Sequence, residues 1–162
     1  MKHSPLPDPA MMTKLFKGIL NCVLSVTKAA TTPPLDQANA TTYAGLYLSG
    51  RHVMTTVIFD VPLVAASSAA LAATPAEQAA EWVAAGRVDD ESVESAREVF
   101  SVMASTLNES NPSIHVKLGF FLPPGQALPA ATNVYFGPTA RRMDYAVDIE
   151  GYGGGVFTVL AV

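Results

Sequence analysis

The sequence predicts an α+β domain: an antiparallel sheet with helices packed on one face. Three observations lead there. Strand-like runs fall into two groups, 41–61 and 113–162, and a block of helical patterns lies between them. The connections carry hairpin chemistry, with Gly50 in the first and Gly151, Gly153, Gly154 and Gly155 in the last. A length of 162 residues suffices for one core and not for two. The expected organisation is a flexible tail over residues 1–9, with Pro5, Pro7 and Pro9, followed by one domain over residues 10–162.

The first element is expected to be an amphipathic helix from Ala10 to about Ala30, because Leu15, Ile19, Val23 and Val26 recur at helical spacing while Lys14, Lys17 and Lys28 point elsewhere. Pro33, Pro34, Asp36 and Asn39 then form a loop. Thr41 to Leu48 and Val53 to Val61 are rich in strand formers and should pair as a hairpin through Gly50. Pro62 suits the first turn of a helix, and the small residues from Leu63 to Ala73 allow that helix to lie close on the sheet.

Thr74 and Glu77 have the spacing of a capping box, so a second helix of the block should start there and end near Gly86. Asp89, Asp90 and Glu91 favour the positive end of a third, which Asn111 and Pro112 stop. After it, Ser113 to Phe121, Thr132 to Phe136, Met143 to Glu150 and Val156 to Val162 read as strands, with proline-rich Leu122 to Pro129 between the first two. The glycines at 151–155 read as a hairpin turn. Neither the Lys-Ser/Thr pair nor the following helix of a phosphate-binding loop accompanies them.

Composition narrows the function classes. The chain is 49% hydrophobic and 15% charged, against roughly 25% charged in ordinary domains, which points to a surface that is thinly charged or partly covered by another subunit, a homodimer being expected. A net charge of -4 argues against a phosphate-tracking nucleic-acid surface. Cys22 is the lone cysteine, so no internal disulfide or cysteine-based zinc cluster can form, and a buried apolar role is expected for it. Leu15 to Val26 is too short and polar to span a bilayer and makes a poor signal peptide, so a cytoplasmic protein is expected. Without a secretion signal, Asn39-Ala-Thr and Asn108-Glu-Ser match the glycosylation pattern by chance. His3, His52 and His115 are isolated, and no hydrolase elbow, zinc-protease or dinucleotide motif is present.

The helix from Glu91 to Asn108 separates into two faces. Val93, Ala96, Phe100, Met103 and Leu107 form a core stripe, and Glu94, Glu98, Ser101 and Ser105 line the opposite one. By itself that second stripe is an ordinary solvated face. Its spacing, however, resembles the site motif of the CheC/CheX/FliY family of chemotaxis phosphatases: Ser or Asp, three residues, Glu, two residues, Asn, then 21 residues and a Pro. Glu94, Glu98, Ser101 and Pro123 occupy those positions, and Glu98 and Pro123 match by type. The run Ala44-Gly45-Leu46-Tyr47-Leu48-Ser49-Gly50 is similar to the family's strand ending in a Ser-Gly turn. So are the Ala-rich helix after Val61-Pro62 and the small residues Met103-Ala104-Ser105. With one copy of the motif, the arrangement is closest to CheX within that family.

The resemblance implies a docking partner and a mechanism. Members dephosphorylate the phospho-aspartate of a CheY-like response-regulator receiver domain, in two-component signalling. The Asn amide orients the attacking water, the Glu contacts the regulator's lysine, and Mg²⁺ comes from the regulator, so no cofactor is expected on this chain. By carry-over, Glu98 and Ser101 take the catalytic positions, and Glu94, Arg97, Ser105 and Pro123 the partner-contact positions. Serine is shorter than asparagine and lacks the amide's paired donor and acceptor. A misplacement of about 1 Å can cost about 100-fold in rate. Weak or lost phosphatase activity with retained partner recognition is therefore expected. The alternatives are a non-catalytic assembly module of the same fold and a small metabolite-binding domain.

Overall fold

The computed structural model describes residues 6–161; His3 and the first five residues of the expected tail lie outside them, as does Val162. Six strands form one sheet: β1 (Leu24–Lys28), β2 (Thr42–Ser49), β3 (His52–Asp60), β4 (Lys117–Leu122), β5 (Arg141–Ile149) and β6 (Gly153–Ala161). Their order is β1-β5-β6-β3-β2-β4, and every neighbouring pair is antiparallel. Among the described residues, four α-helices accompany them: α1 (Pro9–Leu20), α2 (Val61–Leu71), α3 (Ala76–Ala85) and α4 (Val93–Ser110). The α+β class with an antiparallel sheet is as the sequence predicts.

Helices α1, α2 and α4 cover one face of the sheet, and α3 rests on α2. Between helices and sheet, the buried rings of Phe16, Phe59, Phe100, Tyr145 and Phe157 form a connected aromatic core, with Phe59 and Phe100 only 4.4 Å apart. A smaller cluster on the opposite face, Ala44, Leu46, Ile58 and Leu160, is roofed by Leu128 and Tyr135.

Both predicted hairpins are present. Gly50, at φ +61, turns β2 into β3, and Gly151 and Gly153, at φ +86 and +87, turn β5 into β6. Asp60 ends β3 and caps α2: its Oδ1 accepts from the Leu63 N–H and its Oδ2 from the Val156 N–H on β6, both at 2.9 Å. Gly155 makes room for that carboxylate, since a Cβ there would stand 2.2 Å from Asp60 Oδ1.

Several expected boundaries move. The helix expected over 10–30 is helix α1 followed by strand β1, because Asn21 adopts the left-handed region at φ 51 and its N–H closes onto the Lys17 carbonyl. Beyond it, Leu24 and Val26 alternate inward against β5, while Val23 is 69% exposed. The β-branched residues satisfy a two-residue period that wins once a sheet edge is available. Within the expected tail, Pro7 is buried and its carbonyl accepts from the Tyr145 hydroxyl, and Asp8 caps α1.

Thr74 is not a cap. Its N–H bonds the Ala69 carbonyl at the end of α2, so α3 begins after Pro75 and Glu77 lies in its first turn. The expected strand 132–136 is part of a 3-10 helix, Ala130–Phe136, whose three-residue period turns Thr132 and Tyr135 inward together. The Tyr135 hydroxyl anchors it to the Val53 carbonyl. The strand expected from Ser113 starts only at Lys117, after Asn108 has bonded both the N–H and the carbonyl of Val116.

Candidate functional site

Helix α4 buries Ala96, Val99, Phe100, Met103 and Leu107, and leaves Glu94, Glu98, Ser101 and Ser105 exposed. The two faces separate as the heptad-like spacing requires. Two contacts fix the helix at the level of Ser101. The buried Tyr47 hydroxyl donates to the Phe100 carbonyl at 2.6 Å, and burial holds that phenol well above its ordinary pKa, so it stays a donor. Gly45 on β2 lets the Phe100 ring lie against the sheet, since a Cβ there would stand 2.6 Å from Phe100 Cδ1.

An open groove of about 400 Å³ runs between α4 and edge strand β4. Glu94, Arg97, Glu98, Ser101 and Val102 form the helical wall, and Leu118, Gly119 and Phe121 the strand wall. The Arg97 guanidinium carbon lies 5.5 Å from the centre of the Phe121 ring, and its Nε is 3.7 Å from Glu94 Oε1. The groove thus presents two carboxylates, one guanidinium and one hydroxyl above a partly apolar floor. That set can hold both a cation and an anion of a partner. It offers no amide to orient a water.

Four of the six sequence-predicted site residues, Glu94, Arg97, Glu98 and Ser101, meet in this groove. Ser105 does not line it. Its hydroxyl bonds the Val102 carbonyl at 2.8 Å and faces a shallow depression shared with α1 residues Met11, Lys14 and Gly18. Pro123 follows β4 and also lies outside the groove lining.

What holds Pro123 is Asn39, the first residue of the Asn39-Ala-Thr pattern. Its side chain is 1% exposed, and its amide nitrogen lies within 3.2 Å of the Leu122, Pro123 and Gln126 carbonyls. Its oxygen accepts from Thr42 Oγ1, and its backbone sits at φ 52. Tolerance of that φ by Asn is the one local signal for this role, since the three carbonyls that its amide nitrogen ties together lie more than 80 residues away.

His52 and His115 are exposed, and Cys22 is half-buried with its thiol toward the Leu20 carbonyl. Among the described residues, no group of three or more His, Cys, Asp or Glu is placed to hold a metal ion. No helix there is long and apolar enough to cross a membrane. A second, tighter cavity of about 40 Å³ lies among Leu6, Met54, Leu107, Ile114 and Arg141, away from all of these site residues.

Several solved structures share this backbone, three of which follow. The FliM middle domain from H. pylori matches 94% of this chain and 86% of its own with a TM-score of 0.62 at 7% identity. FliY from Thermotoga maritima matches 95% and 84% with a TM-score of 0.57 at 17% identity. A chain of the FliG-FliM complex from H. pylori matches 95% and 87% with a TM-score of 0.58 at 8% identity. The chain has the CheC/CheX/FliY fold. No family model matches it, and no curated protein matches it in sequence. At these identities the likeness is one of backbone path, so the roles of individual side chains rest on the groove's own geometry.

Proposed function

We propose that this protein is a docking module for a phosphorylated receiver domain, with weak or no phosphatase activity of its own. The observation that carries this reading is the groove between α4 and β4, where Glu98 and Ser101 stand together with Glu94 and Arg97 beside an apolar strand wall. Glu98 contacts a cation of the receiver. Ser101 occupies the position from which an asparagine amide would orient water, and its hydroxyl is too short and too simple to do so. Mg²⁺, where required, arrives with the receiver.

Decay of a phosphorylated receiver, measured with and without this protein, tests catalysis, and titration calorimetry against the same receiver tests docking. Binding with at most a small acceleration is expected. If no receiver domain from the same genome binds and none is dephosphorylated, the proposal fails.

A second reading, an assembly module, is favoured by one feature: β4 is one of the sheet's two edge strands, and Phe120 on it is 54% exposed. One of the structures that share this backbone is the FliG-FliM complex from H. pylori. A homodimer belongs to this reading as well. Light scattering over a concentration series separates the two, because a strict monomer at high concentration removes the physical basis for self-assembly.

A further inference from the structure

Arg97 is oriented by contacts that leave its hydrogen-bonding edge free. The Phe121 ring lies 5.5 Å from its guanidinium carbon, and that ring is itself held by Tyr43 and Phe100 at 5.8 and 5.2 Å. An aromatic platform fixes the plane of a guanidinium while its N–H donors point outward around the rim. The Glu94 carboxylate does not claim those donors. It is 3.7 Å away, the two side chains are 76% and 53% exposed, and an ion pair so placed contributes little and exchanges readily. Ser101 is four residues on, on the same side of α4, and lines the same groove, so its hydroxyl is a second donor about one turn away.

We propose that Arg97, with Ser101 beside it, reads the phosphoryl group of the docked receiver, so that binding at this groove is selective for the phosphorylated state. The proposal rests on the receiver-docking function above and adds the group that discriminates between the two states. The planar fork of arginine matches the oxygens of a phosphoryl group, which a single ammonium charge does not. Glu98 supplies the opposite half of the charge pattern by accepting a cation from the partner, which offsets the repulsion between the groove's carboxylates and the phosphoryl oxygens. Phosphoryl recognition without an amide to position water yields a reader that leaves the acyl phosphate intact.

The experiment compares the unchanged protein, Arg97→Gln and Arg97→Lys for binding to a receiver domain from the same genome, with Mg²⁺ alone and with Mg²⁺ plus beryllofluoride as the phosphoryl mimic. The unchanged protein should prefer the beryllofluoride form. Arg97→Gln should lower that preference by roughly 10-fold or more, and Arg97→Lys should restore only part of it. Circular dichroism melts check that each variant is folded, which the exposure of Arg97 favours. Equal preference in the unchanged protein and Arg97→Gln would overturn the role of Arg97 while leaving receiver docking in place. Failure of the unchanged protein to bind any receiver in either state would overturn docking itself, and the role of Arg97 with it.

Discussion

Replacing Gly45 by alanine puts one methyl group where β2, α4 and β4 meet. The added Cβ would lie 2.6 Å from Phe100 Cδ1 and 3.2 Å from both Phe100 Cε1 and Leu118 Cδ1. Leu118 can rotate, but Phe100 cannot readily give way: its ring is fully buried, 4.4 Å from Phe59 on one side and 5.2 Å from Phe121 on another. Overpacking of this kind costs about 1–3 kcal/mol. Stiffening the unfolded chain returns about 0.4–1 kcal/mol. The net loss, centred on about 1 kcal/mol, corresponds to a drop in Tm of roughly 2–4 °C for a chain of this size. Thermal melts and urea unfolding measure it. Adding Phe100→Leu should recover part of the loss, so the double variant should cost less than the sum of the singles. An unchanged or higher Tm in Gly45→Ala, or strict additivity with Phe100→Leu, would refute the claim that this glycine sets the distance of α4 from the sheet.

Three further outcomes are expected. Asp60→Asn keeps one oxygen acceptor for the two backbone N–H groups of Leu63 and Val156, and should lose about 1–3 kcal/mol in urea unfolding. Burial, only partly offset by those two hydrogen bonds, raises the Asp60 pKa, so its ionisation disfavours the folded state. The stability advantage of the unchanged protein over Asp60→Asn should therefore be fullest below the ordinary carboxylate pKa and narrow as pH rises through the elevated one; widening would contradict it. Ser101→Asn should accelerate receiver dephosphorylation by roughly 10-fold or more if the groove aligns with a phospho-aspartate. A variant that binds but stays inert would show that Ser101 does not occupy the water-orienting position. Asn39→Ala removes the side chain that ties Leu122, Pro123 and Gln126 together. It should cost about 1–3 kcal/mol and make the chain after Pro123 the first site of limited proteolysis, and cleavage elsewhere first would count against it.

Much of the fold was legible because it rests on local chemistry. Glycine-turned hairpins, the Pro62 helix start, the Gly86 stop and the two faces of α4 each follow from a few adjacent residues. Two departures from the expected elements share one cause. Leu24–Lys28 and Ala130–Phe136 carry patterns compatible with two periods, and the choice between them was made by a sheet edge on β5 and by an apolar face awaiting a roof. The site was legible only in part. Glu94, Arg97, Glu98 and Ser101 share a groove because helical spacing dictates it, whereas Ser105 turns toward α1 and Pro123 follows the loop that Asn39 holds.

The sequence by itself determined the α+β class, the hairpins and the polar face of α4, because these depend on backbone freedom and periodicity within a few residues. Only the tertiary structure decided that β4 forms the second wall of the groove, that Phe121 orients Arg97, and that Asn39 fixes Pro123. Those contacts join residues 24 to 84 positions apart: Arg97 and Phe121 in the groove, Asn39 and Pro123 beside it. The first exists because an edge strand and a helix pack around the same aromatic core, the second because the loop before β2 closes on the chain after β4, and no local pattern encodes a meeting at that distance.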